Sequence, residues 1–187
     1  MSSQTVDDLI AAIKDKNEKV RTEAWVGAGP RGAPAVKPLA ALTTHQDIEV
    51  ARAAGKALWK IVRHVGRPGA DDEKKAAVAE LLALLGGDRG AAVRREVLWM
   101  LSEIGGDESV DAMAALLGDA ELREDARMAL QRIPGDKSLS ALRARLEAAG
   151  EDFKINIAES LRARGVEVPH LPSRKLVPCR QTLVKPL

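Results

Sequence analysis

The chain has 187 residues, of which 45% are hydrophobic and 30% charged, a composition typical of a soluble domain that buries a core. Only 2% are aromatic, with one Phe and no Tyr, and this favours closely packed helices over strands. The net charge of +2 is uneven: residues 166–187 carry four cations against one carboxylate, and the nearly neutral remainder makes nucleic acid an unlikely partner class.

Two apolar patterns alternate along the chain, and each has the spacing of one face of a helix. The shorter pattern, A, has an apolar residue at the start and another three residues later. The longer pattern, B, has apolar or small residues at offsets 0, 4, 7 and 8. The A patterns begin at Val6, Val36, Val78, Val110 and Leu139, and the B patterns begin at Val20, Val50, Val93, Leu122 and Phe153.

Each A pattern precedes a B pattern by enough residues for a helix of about three turns and a tight turn. We therefore expect five hairpins of antiparallel helices, at residues 5–31, 34–65, 74–105, 108–134 and 137–165. Such a short unit, repeated at a nearly constant period, is typical of a solenoid.

Glycine and proline mark the ends of the predicted B helices, as in Gly105-Gly106 and Pro134-Gly135. The interval from Val50 to Val93 exceeds the others by about a dozen residues relative to a period of about 30, which predicts an insertion near residues 62–74. Within it, residues 66–69 are expected to form a loop, with Asp71 or Asp72 as the next N-cap. Residues 166–187 form a basic, proline-containing tail, expected to be extended or flexible, to fold back over the last repeat, or to bind an acidic partner.

Several of these residues resemble the HEAT repeat, particularly the short HEAT-like kind first noted in bilin lyases. They are Ala35-Val36-x-Pro38-Leu39, Val93-Arg94, Leu101 with Ile104-Gly105, and Leu122-Arg123 with Ala129-Leu130 and Ile133. The resemblance covers residues 5–165 and implies a right-handed α-solenoid whose B helices line the concave side. Ala51 departs from the pattern, because an arginine usually follows the first B position, and Phe153-Lys154 begins a divergent last copy.

No residue grouping indicates catalysis, a metal or a cofactor. A HEAT-type hydroxylase with a di-iron centre would need repeated His-Glu pairs, but His45, His64 and His170 are followed by other residues. The only cysteine, Cys179, lies in the tail and cannot form an intramolecular disulfide. We therefore expect no enzyme activity, no catalytic residue and no metal or cofactor site.

One cation recurs near the start of every B pattern: Arg21, Arg52, Arg94, Arg123 and Lys154. A ladder of this kind is either a basic stripe for an acidic partner or a set of ion pairs that tie the repeats together. Aspartates precede four of these cations, at Asp15, Asp47, Asp88 and Asp119, and this recurrence favours ion pairs.

All three tryptophans, Trp25, Trp59 and Trp99, lie in B patterns at offsets outside the core positions. Tryptophan is a favoured anchor at interfaces, but it also packs between neighbouring helices, and Trp25 fits packing best. If the concave side binds a partner, the residues expected to contact it are Trp59, Trp99, Arg52, Arg95 and Arg127.

The sequence therefore predicts a non-enzymatic scaffold that binds a protein or peptide. The start of the chain lacks a signal peptide pattern, and no apolar run reaches the roughly 20 residues that span a bilayer, so a cytoplasmic protein without membrane contact is expected. One alternative is a DNA-binding protein related to the HEAT-like alkylpurine DNA glycosylases, although these need a strongly cationic cradle. A bilin-lyase-like accessory protein is a further alternative that follows from the resemblance alone.

Overall fold

The computed structural model of the chain describes residues 5–86 and 89–173, and these residues form five helical hairpins without any strand. Asp88, Cys179 and the tail beyond residue 173 lie outside the described residues. The A and B helices of the hairpins are α1 (Val6–Ile13) and α2 (Glu18–Val26), α3 (Val36–Leu42) and α4 (Ile48–Val65), α5 (Asp71–Gly86) and α6 (Ala91–Ile104), α7 (Asp107–Ala115) and α8 (Arg123–Arg132), and α9 (Asp136–Ala148) and α10 (Glu151–Ala163).

The hairpins stack into a two-layer solenoid. The B helices α2, α4, α6, α8 and α10 pack one against the next in chain order, and so do the A helices α3, α5, α7 and α9. The predicted all-α solenoid is confirmed. None of the helices in the described ranges is both long and apolar enough to cross a membrane.

The core lies between the two layers, where the B pattern predicts it. In the second hairpin the apolar offsets are all buried: Val50, Ala54, Ala57, Leu58 and Ile61 are at most 4% exposed. By contrast, α2 has no buried residue, since a terminal repeat has a neighbour on one side only. Every later B helix therefore contributes to a continuous apolar layer, and α2 covers its N-terminal end.

Polar caps and left-handed glycines set several helix boundaries. Asp47 accepts a hydrogen bond from the Glu49 N–H at 2.9 Å and so caps α4. Gly135 and Gly165, with φ of 96° and 77°, allow the chain to turn after α8 and α10 in a conformation that other residues rarely adopt.

The extra residues of the second and third units lengthen two helices, a different arrangement from the predicted insertion. Helix α4 has 18 residues and α5 has 16, against nine in α2 and nine in α7. Residues 66–70 are the whole connection between α4 and α5, and Asp71 is the first residue of α5 rather than a cap. The lengthened α4 offers a longer exposed face than the other B helices.

The segment after α10 packs back onto the last repeat. Val168 is 5% exposed, and the Arg162 guanidinium donates to the carbonyl oxygens of Val168 and Leu171. Arg164 reaches the end of α8, where its Nη1 donates to the Ile133 carbonyl at 2.6 Å and to the Ser138 hydroxyl at 3.2 Å. The described part of the tail, residues 166–173, therefore folds back against the last repeat.

Candidate binding surface on the B helices

Each tryptophan lies at the junction between its own B helix and the next one. Trp25 of α2 lies beneath two lysines of α4, with Lys56 Nζ 5.0 Å and Lys60 Nζ 5.8 Å from its ring centre. All three indoles are partly buried. The tryptophans therefore contribute to packing between repeats while keeping one side exposed.

The other two indoles donate hydrogen bonds across their junctions. Trp59 Nε1 donates to Glu96 Oε2 of α6 at 3.3 Å, and Trp99 Nε1 donates to Asp125 Oδ1 of α8 at 3.3 Å. Glu96 and Asp125 occupy the same position in successive repeats. A carboxylate at this position thus joins the B helix to the one before it.

Two of the arginines predicted to bind a partner are engaged within the protein. Arg95 Nε donates to Asp125 Oδ2 at 2.9 Å, and its side chain is about half exposed. Arg127 is only 6% exposed, and its guanidinium donates to Glu124 at 2.8 Å and to Ser160 of α10 at 2.5 Å. Arg127 would have to break these bonds to reach a partner, and its role in partner binding stays a prediction from the sequence.

Among residues 5–86 and 89–173, the cations that begin the B helices do not form ion pairs with the aspartates in their own turns; Asp88 lies outside these ranges. Arg21 donates to the carbonyl oxygens of Asp15 and Lys16, and Arg123 lies over the Phe153 ring at 5.0 Å. Arg94 contacts Asp119 of the following repeat at 3.8 Å.

The remaining members of the ladder pair within their own helices, Arg52 with Glu49 and Lys154 with Glu151. The aspartates instead accept backbone N–H groups, as Asp119 does from Glu121 and Leu122. The predicted pairing is therefore wrong for the described residues, because a carboxylate in a tight turn lies beside unpaired backbone donors.

A row of four cations runs along the exposed side of α4, and we call Arg52, Lys56, Lys60 and Arg63 the basic row. Their spacing of four, four and three residues places them along one side of a helix. The Arg63 guanidinium lies 5.5 Å from the ring centre of Trp59. Sequence reasoning identified only Arg52, although the spacing of the other three was already readable in the α4 pattern.

An apolar cleft opens beside the basic row, between α4 and α6. Its cavity of about 190 Å³ also reaches α3 and α5. Ala51 and Gly55 form the α4 side of its mouth, and a Cβ atom at Gly55 would meet no atom within 4 Å. We call this feature the α4–α6 cleft; it is lined by Ala40, Thr43, Ala51, Gly55, Leu58, Leu81, Leu84, Val93, Glu96, Val97 and Met100.

The histidines take part in local contacts. His45 Nδ1 accepts the Asp47 N–H at 3.1 Å, and His64 Nε2 lies 3.7 Å from Glu73. Hydrogen bonding to Arg67 lowers the pKa of Glu73. Across residues 5–86 and 89–173, no group of three or more His, Cys, Asp or Glu side chains is arranged to hold a metal ion.

Comparison with known proteins identifies the repeat. A model of HEAT repeats matches residues 36–131, just over half of the chain, from the start of α3 to near the end of α8. The chain belongs to the HEAT repeat family.

Among solved structures, one similar chain is a designed armadillo repeat protein in complex with the peptide (KR)4. It has 20% sequence identity and a TM-score of 0.45, over 84% of this chain and 81% of that one. No curated protein sequence matches the chain.

Proposed function

We propose that this protein is a non-enzymatic scaffold that binds an acidic segment of a protein or peptide along the B-helix surface, centred on the basic row of α4. The supporting observation is that Lys56, Lys60 and Arg63 have no carboxylate within ion-pair distance among the described residues. Several other cations of the B helices do have one: Arg95 pairs with Asp125, and Arg132 pairs with Glu103.

The tryptophans hold these cations without neutralising them. A cation over an indole ring gains about 0.5–1 kcal/mol at an exposed site, and it keeps its full charge. Trp25 orients Lys56 and Lys60, and Trp59 orients Arg63. The three unpaired cations Lys56, Lys60 and Arg63 attract an acidic chain by long-range steering and then by direct ion pairs.

The same charges would also attract nucleic acid, which is the alternative to exclude. Duplex DNA needs several cations at phosphate spacing, and its affinity falls steeply with salt. In α6 and α8 the cations Arg94, Arg95, Arg127 and Arg132 contact carboxylates and, among the described residues, Arg123 stands alone over Phe153, so the row of unpaired cations on α4 does not continue along these helices. This arrangement favours an acidic peptide over a duplex. A cytoplasmic location stays a prediction from the sequence.

The proposal is tested with peptides selected from a random display library by the full chain. Selected peptides are expected to be acidic, and their affinity is measured by fluorescence anisotropy against two double variants. Lys56→Glu with Arg63→Glu reverses two charges of the basic row, while Lys75→Glu with Arg143→Glu makes the same change on exposed positions of α5 and α9.

The basic-row variant is expected to weaken binding at least tenfold, about 1.4 kcal/mol, which corresponds to two ion pairs at the upper end of exposed pairs. The α5/α9 variant is expected to stay within about twofold of the unchanged protein, by long-range charge effects alone. Equal losses in both variants, neutral selected peptides, or a failure to enrich any peptide would each refute the proposal. Binding of duplex DNA that depends on the basic row would replace it with the nucleic-acid alternative.

A further inference from the structure

The α4–α6 cleft is an unfilled apolar space between two neighbouring repeats. Protein interiors contain few voids larger than a water molecule, and an apolar cavity of about 150 Å³ is known to admit benzene. The cleft, at about 190 Å³, is larger. It therefore has room for the ring or branched end of one large apolar side chain.

The opening exists because two small residues lie one turn apart on α4. Ala51 and Gly55 are both partly exposed and face the cleft. Glycine destabilises the interior of a helix, so it usually has a packing reason there. At Gly55 there is none, since a Cβ atom would meet no neighbour within 4 Å. The missing side chain keeps the mouth of the cleft open.

Two polar side chains lie at the cleft, and each makes one hydrogen bond within the protein. Thr43 Oγ1 donates to the Ala40 carbonyl at 2.8 Å, and Glu96 accepts the hydrogen bond from Trp59. The deeper lining consists of buried apolar residues, among them Leu81, Leu84 and Met100. A polar occupant would find few partners there, so an apolar one is favoured.

The basic row indicates the charge of a peptide that would place an apolar side chain in the cleft. Successive residues of a helix are rotated by about 100°, so Arg52 and Lys56 lie roughly 60–100° around α4 from Gly55. Both cations therefore flank the mouth of the cleft on its α4 side. A segment anchored in the cleft would continue past them, where carboxylates are complementary.

We infer that the α4–α6 cleft is a specificity pocket for one large apolar side chain, Leu, Met or Phe, carried by an acidic peptide segment that lies along the basic row. This inference rests on the proposed function and adds an anchor to it. The ion pairs attract the segment and the pocket sets its register, because a buried anchor accounts for much of the affinity at a small interface.

The pocket is tested by filling it. Gly55→Leu places a side chain at the mouth, and Gly86→Leu is the matched control, because a Cβ atom at Gly86 also meets no neighbour. Gly55→Leu is expected to lower the affinity for the selected acidic peptides at least tenfold, while Gly86→Leu leaves it within about twofold. Alanine replacement of the peptide's apolar residue is expected to cause a similar loss, and combining it with Gly55→Leu to cause little more.

A second measurement examines the pocket without any peptide. Benzene is titrated into the protein while the methyl resonance of Met100, which lines the cavity, is followed by NMR. A saturable shift that disappears in Gly55→Leu is expected. Circular dichroism of the same samples checks that the fold is retained.

The outcomes separate this inference from the proposed function. If Lys56→Glu with Arg63→Glu weakens the peptides but Gly55→Leu does not, the pocket is refuted and the scaffold proposal stands. If neither weakens them, both fail. A benzene shift without any coupling to the peptide's apolar residue would overturn the inference in favour of a small apolar ligand, and no shift at all would show that the cleft is closed.

Discussion

Replacing Gly55 by alanine provides a sensitive test of the packing described for α4. Gly55 is well inside the 18-residue helix Ile48–Val65, where backbone freedom is most costly. Alanine is favoured over glycine in a helix interior by about 0.5–1 kcal/mol, partly because the unfolded chain loses freedom. The added methyl group meets no atom within 4 Å, so neither strain nor new contact alters this value.

We therefore expect Gly55→Ala to raise the free energy of unfolding by about 0.5–1 kcal/mol. For a chain of this size the thermal midpoint should rise by roughly 1–4 °C. Urea titration followed by circular dichroism at constant pH gives the free energy, and a thermal melt gives the midpoint. Both measurements can be made on the full chain without knowledge of its partner.

Gly105→Ala is the contrasting control. A Cβ atom there would lie 2.6 Å from the Leu101 carbonyl oxygen and 2.7 Å from the Ser109 hydroxyl oxygen, so the backbone must shift. A loss of about 1–3 kcal/mol is expected, as for other overpacked sites. If Gly55→Ala were neutral or destabilising, the space above Gly55 would be filled in solution, and the argument for an open cleft would collapse.

Three further predictions concern contacts outside the cleft. Arg164→Ala removes the donor that serves the carbonyl groups after α8 and should lower the free energy of unfolding by about 1–3 kcal/mol in urea titration. Asp125→Ala leaves one arginine and one indole N–H without their acceptor and should cost about 1 kcal/mol, with a shift in tryptophan emission. Glu73 has a pKa below its usual value of 4.5 because Arg67 hydrogen-bonds to it, so this pair stabilises the fold above that pH. The contribution is lost as the pH falls through the lowered pKa, and Glu73→Gln should flatten the stability profile on the acid side of the usual value of 4.5.

Each of these predictions has a result that would contradict it. Unchanged stability in Arg164→Ala would mean that water replaces the guanidinium at no cost. An unaltered emission spectrum in Asp125→Ala would contradict the hydrogen bond from the Trp99 indole to Asp125. Parallel pH profiles for Glu73→Gln and the unchanged protein would show that the pair with Arg67 does not contribute to stability.

The repeat and its core were predictable because both depend on spacing. Val50, Ala54 and Ile61 recur at the offsets that return to one side of a helix, and all three are buried. Helix lengths were less predictable. The loop predicted at residues 66–69 is present, but the pattern of α4 continues without a break to Val65, and the extra residues lengthen helices.

The pairing of charges could not be derived from the sequence. Asp47 and Arg52 are close along the chain, but Asp47 caps α4 and Arg52 pairs with Glu49. Backbone donors at a helix start compete for the same carboxylates, and only geometry decides between them. Arg127 shows the same limitation, since its burial depends on Ser160 of the next repeat.

The cleft could not be predicted from the sequence, because it is a space left between neighbouring repeats. Gly55 within a helical pattern was a readable signal, because glycine is disfavoured there. The sequence of α4 does not specify where α6 lies, so it could not show that Gly55 borders a cleft. The Trp59 position was readable as lying outside the core, but its hydrogen bond to Glu96 was not.

The positions of the three tryptophans allow separation of neighbouring repeats to be followed by fluorescence. Each indole monitors a different junction, with Trp25 between α2 and α4, Trp59 between α4 and α6, and Trp99 between α6 and α8. The chain contains no tyrosine, so its near-ultraviolet emission comes almost entirely from these three side chains. Variants that keep a single tryptophan would show in which order the first four repeats separate, without any attached label.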